Sequence, residues 1–314
     1  MRRAYLVYNP NAGRFPSWIL AERAAGVFQK YGWQIHIETS HNGEHITQLA
    51  HQAAAEEMEA FIVVGGDGSI NRALPGLVGT STALGVLPAG TANVWGQELG
   101  LPGLSWTRLL ALEESAHRMA QAQVRQVDVG MSNTTPFLLW AGVGLDAFVI
   151  HHLEPRERWE KYFAEAQYAA SAIWKAAAWS GLNIQVVTDL NHVSGHFLLA
   201  VVSNIHLYMG GMAQLSPDAR LDDGWMDLWL FEGNTLGDAL LRAWDLYAGR
   251  HIQSDLIHCI PFQNLTLTSE APTYVQVDGE PIGGESCVSI TIRRRALNIL
   301  VPMNVPRVLF KETK

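Results

Sequence analysis

Short apolar runs alternate with stretches of helical periodicity through the first third of the chain. Runs at 4–8, 34–39, 60–64 and 84–87 read as strands, and the segments 17–31, 46–58 and 69–78 between them carry the three-to-four spacing of helices. Strand, helix, strand in that rhythm predicts βαβ units and a Rossmann-like, largely parallel sheet covered by helices. Beyond about residue 131 the pattern changes. Runs at 137–141, 184–187, 197–203, 226–231, 265–269, 274–277 and 287–292 predict antiparallel β structure, interrupted by one long helical segment at 159–180. The apolar, proline-punctuated tail 296–310 reads as a return onto the first half.

Composition narrows the class. With 314 residues, 48% hydrophobic and 17% charged, the chain can bury two cores. A net charge of -8 argues against a nucleic-acid binder, which needs clustered Lys and Arg against a phosphate backbone. Cys259 and Cys287 form no CxxC pair, a usage that fits a reducing cytoplasm. Met1-Arg2-Arg3 and the apolar run after it open like an export signal, but Asn9-Pro10 end the run at once. No stretch approaches the roughly 20 apolar residues of a membrane span. The expectation is a cytoplasmic protein that meets a membrane only at its surface.

The chemistry concentrates at strand ends. The run 61–64 feeds Gly65-Gly66-Asp67-Gly68-Ser69-Ile70-Asn71 and then a helix. Glycines let backbone amides approach a phosphate, and the helix N-terminus adds partial positive charge. The loop lacks the Gly-Lys-Ser/Thr of a Walker loop and the spacing of the dinucleotide fingerprint; by itself it also suits a tight turn with a helix cap. Asn9-Pro10-Asn11-Ala12-Gly13 and Pro88-Ala89-Gly90-Thr91-Ala92-Asn93 end two further strands, so three such turns converge on one sheet edge. Asp67 is suited to hold magnesium through water. Late in the chain, Val277-Asp278-Gly279-Glu280 presents a carboxylate on a tight turn. A Glu beside a terminal phosphate can take the proton of an attacking alcohol, which makes Glu280 the candidate general base; otherwise the motif is a surface turn.

These motifs, with Val127-Asp128-Val129-Gly130 and Leu221-Asp222-Asp223-Gly224, resemble in type and order the diacylglycerol kinase catalytic-domain family, which includes bacterial lipid kinases, sphingosine kinases and ceramide kinases. The resemblance spans nearly the whole chain. It implies an N-terminal α/β nucleotide-binding domain at 1–130, rejoined by 297–314, and a β-sandwich lipid-binding domain at 131–296 with a helical insert near 157–182. It also implies transfer of the terminal phosphate of ATP to a lipid hydroxyl. The nucleotide set is then Asn9, Pro10, Asn11, Gly13, Thr39, Ser40, Gly65, Gly66, Gly68, Ser69, Asn71, Gly90, Thr91 and Asn93. Glu280, Asp67 and Asp128 are the catalytic set, the last two through a magnesium–water network. Asp223 with the main-chain carbonyls of Arg220 and Trp225 would hold a structural magnesium.

The chain departs from the family where Val94 follows Asn93: many members carry an Asp of the magnesium network there, while sphingosine kinases resemble this chain in lacking it. Ser69 stands for the usual Thr and keeps the hydroxyl. The stripe Trp159, Tyr162, Phe163, Ala166, Ala170, Ile173, Trp174, Ala177 has helical spacing and serves either core packing or a lipid gate. Expected partners are a lipid substrate and a transient membrane surface, with a homodimer allowed. Two other readings stay open: phosphorylation of a soluble cofactor, since NAD kinases share a Gly-Gly-Asp-Gly loop, and a relative that binds lipid or nucleotide without turnover.

Overall fold

The computed structural model describes residues 2–10, 17–104, 108, 110–153 and 179–311. Four strands, β1 (Arg2–Tyr8), β2 (Trp33–Thr39), β3 (Ala60–Gly65) and β4 (Ala83–Pro88), run parallel in the order β2-β1-β3-β4. Every residue of β3 and β4 is buried, as befits strands covered on both faces. Helices α1 (Ser17–Lys30) and α5 (Ala111–Ala120) pack together, as do α2 (Gly43–Ala55) and α3 (Asp67–Leu77). Asn42 caps α2 by accepting the His45 amide at 2.8 Å, so that helix starts ahead of the expected 46–58. Likewise α3 starts at Asp67, inside the glycine loop, rather than at residue 69. The five-residue helix α4 (Val94–Glu98) follows β4 directly.

The second half is antiparallel. Strands β5 (Gln123–Ser132), β6 (Thr135–Phe137), β7 (Trp140–Gly144), β8 (Leu182–Thr188) and β9 (His192–Ser203) are followed by a short pair, β10 (Leu207–Tyr208) and β11 (Ala213–Gln214). Then come β12 (Met226–Glu232), β13 (Ile257–Phe262), β14 (Asn264–Val277) and β15 (Glu280–Val301). Alternation along β9 and β12 serves two cores. Ala200, Val202, Leu228 and Leu230 face one, and Val201, Trp229 and Phe231 face the other with Leu215 and Ile257. Two helices beyond the single insert expected from sequence occur here: α6 (Leu145–Leu153) and α7 (Leu236–Tyr247), the latter closed by a capping box between Thr235 and Asp238. The insert expected near 157–182 falls, up to residue 178, outside the described residues, and with it the apolar stripe beginning at Trp159.

The 22-residue strand β15 joins the halves. It pairs antiparallel with β14 and β5, then beside Leu84 parallel with β4, so the sheet is continuous through 13 strands. Its register on β5 shifts between Arg293 and Leu297, where Arg295 takes a φ of 49°. Beyond that bulge Leu297, Ile299, Leu300 and Val301, and after them Leu309 and Phe310, lie in one core with β1, β3 and β4. Among the described residues no helix is long and apolar enough to cross a membrane.

Ile299 is 0% exposed and sits on the strand that ties the halves together. Ile299→Ala is expected to cost about 2–5 kcal/mol of unfolding free energy, read from urea denaturation followed by circular dichroism.

Candidate active site

The parallel register aligns the carboxyl ends of the first four strands. Tyr8 is level with Thr39 and Val64, and Gly65 with Pro88, so the loops after β1, β2, β3 and β4 open on one edge. Ser40 is buried there and binds the Tyr8 carbonyl through its amide at 2.9 Å and its hydroxyl at 3.2 Å. It locks two strand ends together. Thr39 closes β2, Asn9 is half-buried and Pro10 is exposed; Asn11 and Gly13 lie outside the described residues.

The loops after β3 and β4 touch. The Ala89 amide donates to the Gly65 carbonyl at 3.1 Å, and a Cβ on Gly90 would stand 2.6 Å from the Gly66 Cα. Only glycine allows that approach. Asn93, at φ 54°, accepts the Gly90 amide at 2.7 Å and donates to its carbonyl at 2.9 Å, so its side chain staples its own loop. Thr91 and Gly68 are exposed, and the Ser69 hydroxyl lies against Gly65. Asp67 accepts the Val94 and Trp95 amides at 2.9 Å each, capping α4 from the neighbouring loop. Burial raises its carboxyl above the usual range, against the pull of those amides. Val94 itself is 2% exposed.

Glu280 arrives from the second half. Its Oε2 accepts Arg72 Nη2 of α3 at 2.9 Å, and its Oε1 is 3.5 Å from where a Cβ on Gly68 would stand. The preceding residue but one sets this position. Asp278, at φ 48° and 6% exposed, accepts the amides of Leu138 at 2.9 Å, Leu139 at 2.9 Å and Trp140 at 3.1 Å, and Asn71 Nδ2 at 3.2 Å. Asn71 thus joins α3 to the Asp278 turn. Burial outweighs the four donors and pushes the Asp278 carboxyl up to about 6. From below, Gln276 Oε1 accepts the Gly279 amide at 2.9 Å, and its Nε2 donates to Asp146 at 3.0 Å. Asp146 also accepts the Tyr208 hydroxyl at 3.2 Å, and burial raises its carboxyl.

The remaining carboxylates form a second group. Asp128 is 0% exposed and accepts the amides of Gly224 at 2.6 Å and Arg295 at 2.7 Å. It pins the Leu221–Gly224 loop to the bulge of β15. Asp223 accepts the Trp225 amide at 3.0 Å. Burial raises both carboxyls; the amides oppose the shift, and Asp222 reinforces it at each. Among the described residues no three acidic, His or Cys side chains gather closely enough to hold a metal. An ion on this loop would have to draw on carbonyls; the Asp223 carboxylate and the main-chain oxygens of Arg220 and Trp225 are hard oxygen donors of the kind magnesium takes. The repulsion from Asp222 is what a cation would relieve.

Sequence reasoning passed over three positions. Asp278 lies inside the Val277–Glu280 turn motif, but only its burial reveals its role. Arg72 follows the glycine loop with no spacing signal. Glu98 of α4, 4% exposed, accepts His206 Nδ1 at 2.5 Å and the His206 and Leu207 amides at 3.1 and 3.2 Å, a contact across 108 positions that local pattern cannot show.

Comparison with known proteins places this architecture. Residues 3–132 match the diacylglycerol kinase catalytic domain and residues 140–301 the YegS C-terminal NAD kinase beta sandwich-like domain. The chain belongs to the diacylglycerol kinase catalytic-domain family. It is 25% identical to the diacylglycerol kinase of Bacillus subtilis over 89% of this chain and 90% of that one. It is 23% identical to that of Staphylococcus carnosus over 97% and 96%. A solved Bacillus anthracis structure assigned as a diacylglycerol kinase shares the fold at a TM-score of 0.77 and 20% identity, covering 97% of this chain and 99% of its own.

In the folded protein Asp278 keeps its proton up to about pH 6, whereas an unfolded chain releases it near 3.8. Raising the pH between those values therefore weakens the fold, by about 3 kcal/mol from this group, and above them its contribution is flat. Asp278→Asn is expected to lose that slope in urea titrations run between about pH 4 and pH 7.

Proposed function

We propose that this chain is an ATP-dependent lipid kinase that transfers the terminal phosphate to the hydroxyl of a diacylglycerol-like lipid, with Glu280 as general base. The observation that carries the reading is the approach of Glu280 to Gly68, which brings a carboxylate of the second half beside an amide-lined helix start of the first. The division into a Rossmann-like nucleotide domain (1–130 with 297–314) and a lipid-binding sandwich (131–296) follows from that reading, with the reaction in the junction.

Each part has a defined task. The loop amides around Gly65–Ser69 and Gly90, with the start of α3, hold the triphosphate. Glu280 accepts the proton of the lipid hydroxyl as its oxygen bonds to the terminal phosphorus; the bond from that phosphorus to the bridging oxygen breaks, and ADP leaves. Asp67, although it caps α4, keeps carboxylate lone pairs for water bound to magnesium, and Asp223 with the Arg220 and Trp225 carbonyls would hold a second, structural ion. Magnesium, when bound, neutralises phosphate charge. Asp128 acts on the Asp223 loop by fixing the Gly224 amide. A lipid acceptor also requires the protein to meet a bilayer surface.

Labelled ATP incubated with diacylglycerol in vesicles is expected to yield labelled lipid phosphate. Glu280→Gln should lower kcat by about 100- to 10,000-fold, and an unchanged rate would remove Glu280 from the role of base. NAD offered in place of lipid separates the cofactor-kinase reading, which label in NAD would favour. Magnesium is expected to raise the melting temperature of the wild type and not of Asp223→Ala; equal shifts would move the structural ion elsewhere.

A further inference from the structure

Gly68 and Arg72 lie four residues apart on α3, hence on one helix face, separated by about 6 Å of rise. The carboxylate of Glu280 spans them, Oε1 toward Gly68 and Oε2 on Arg72 Nη2. Gly68 is the second residue of α3, so its amide is among those a helix start leaves for a ligand. An anion on those amides therefore stands within a turn of the Arg72 guanidinium. The arginine is held from outside the loop. Its Nε, Cδ and Cγ lie 3.0–3.2 Å from where a Cβ on Gly43 would stand, and Thr47 donates to its carbonyl at 2.6 Å. Gly43 leaves the room through which the side chain runs.

The pair itself is a poor stabilising device. The Arg72 side chain is 43% exposed and that of Glu280 18%, and solvent screening leaves such a contact little energy. A guanidinium has five donors in a planar fork, and one of its nitrogens engages Glu280. The same fork matches a phosphate, which prefers arginine where bidentate geometry matters.

We infer that Arg72 is a two-sided clamp: one edge of its guanidinium fixes Glu280, and the other contacts the terminal phosphate of a nucleoside triphosphate held on the loop. The clamp sets the distance between base and phosphorus, and it favours a triphosphate over a diphosphate. This rests on the lipid-kinase reading for the identity of the acceptor, but not for the phosphate contact.

The test measures ATP and ADP affinity by calorimetry for the wild type, Arg72→Ala and Arg72→Lys, with thermal melting as a check of folding, and kcat and KM with vesicular diacylglycerol. Arg72→Ala is expected to weaken ATP binding by about 10- to 100-fold and leave ADP binding within about 2-fold. Its kcat should fall with KM for lipid unchanged. Arg72→Lys, a point charge without the fork, should restore part of the ATP affinity and less of kcat; should the alanine variant fail to fold, the lysine variant still reports the selective loss. Free guanidinium should raise kcat of Arg72→Ala. Equal weakening of ATP and ADP overturns the inference, as does a fall in kcat with both affinities unchanged, which would make Arg72 a support for Glu280 alone. If the wild type phosphorylates no lipid while its preference for ATP still depends on Arg72, the lipid-kinase reading fails and the clamp stands.

Discussion

A buried carboxylate that must be fully hydrogen-bonded organises the centre of this molecule. Asp278 lies out of water between the halves, and leaving its lone pairs unmet there would cost several kcal/mol. The consecutive backbone amides of Leu138, Leu139 and Trp140 and the side-chain amide of Asn71 meet them. The requirement ties α3 to the connection between β6 and β7, and everything on the turn inherits that position. Glu280, two residues on, faces Gly68 and Arg72 from a turn that these four hydrogen bonds hold.

The same device recurs around the junction. Asp67 caps α4 from the loop after β3, Glu98 ties the far end of α4 to His206 and Leu207, and Asp128 holds the Leu221–Gly224 loop to the bulge in β15. In each case a carboxylate gathers backbone amides from a segment distant in sequence. Such contacts are directional and specify a unique arrangement in a way that apolar packing does not. Helix α4 becomes a strut, seated on the glycine loop at one end and on the second half at the other. The buried Val94 fits this picture: its amide, held by Asp67, begins the strut.

Much of the first half was legible because its elements are local. Strands at 4–8, 60–64 and 84–87 and helices between them follow from periodicity, and their parallel pairing brings the loop-bearing ends to one edge without further information. What pattern missed has identifiable causes. Helix α4 is five residues long, too short for a period to register, and α6 begins in an apolar stretch that reads equally well as strand. Several polar residues that suit a ligand by type also bond within the protein, which spacing does not show: Ser40 clamps Tyr8, Asn93 staples Gly90 and Asn71 reaches Asp278.

The sequence by itself determined the βα rhythm of the first half, the strand-rich second half, the order of the glycine loops and the late Asp-Gly-Glu turn, because propensity, periodicity and turn chemistry act over a few residues. Tertiary structure alone decided that one long strand would carry both cores, that Glu280 would meet Arg72 across 208 positions, and that Asp67, Asp128 and Asp278 would lie against backbone amides rather than in water. These depend on desolvation and on contacts between distant segments, and neither is written in the spacing of residues along the chain.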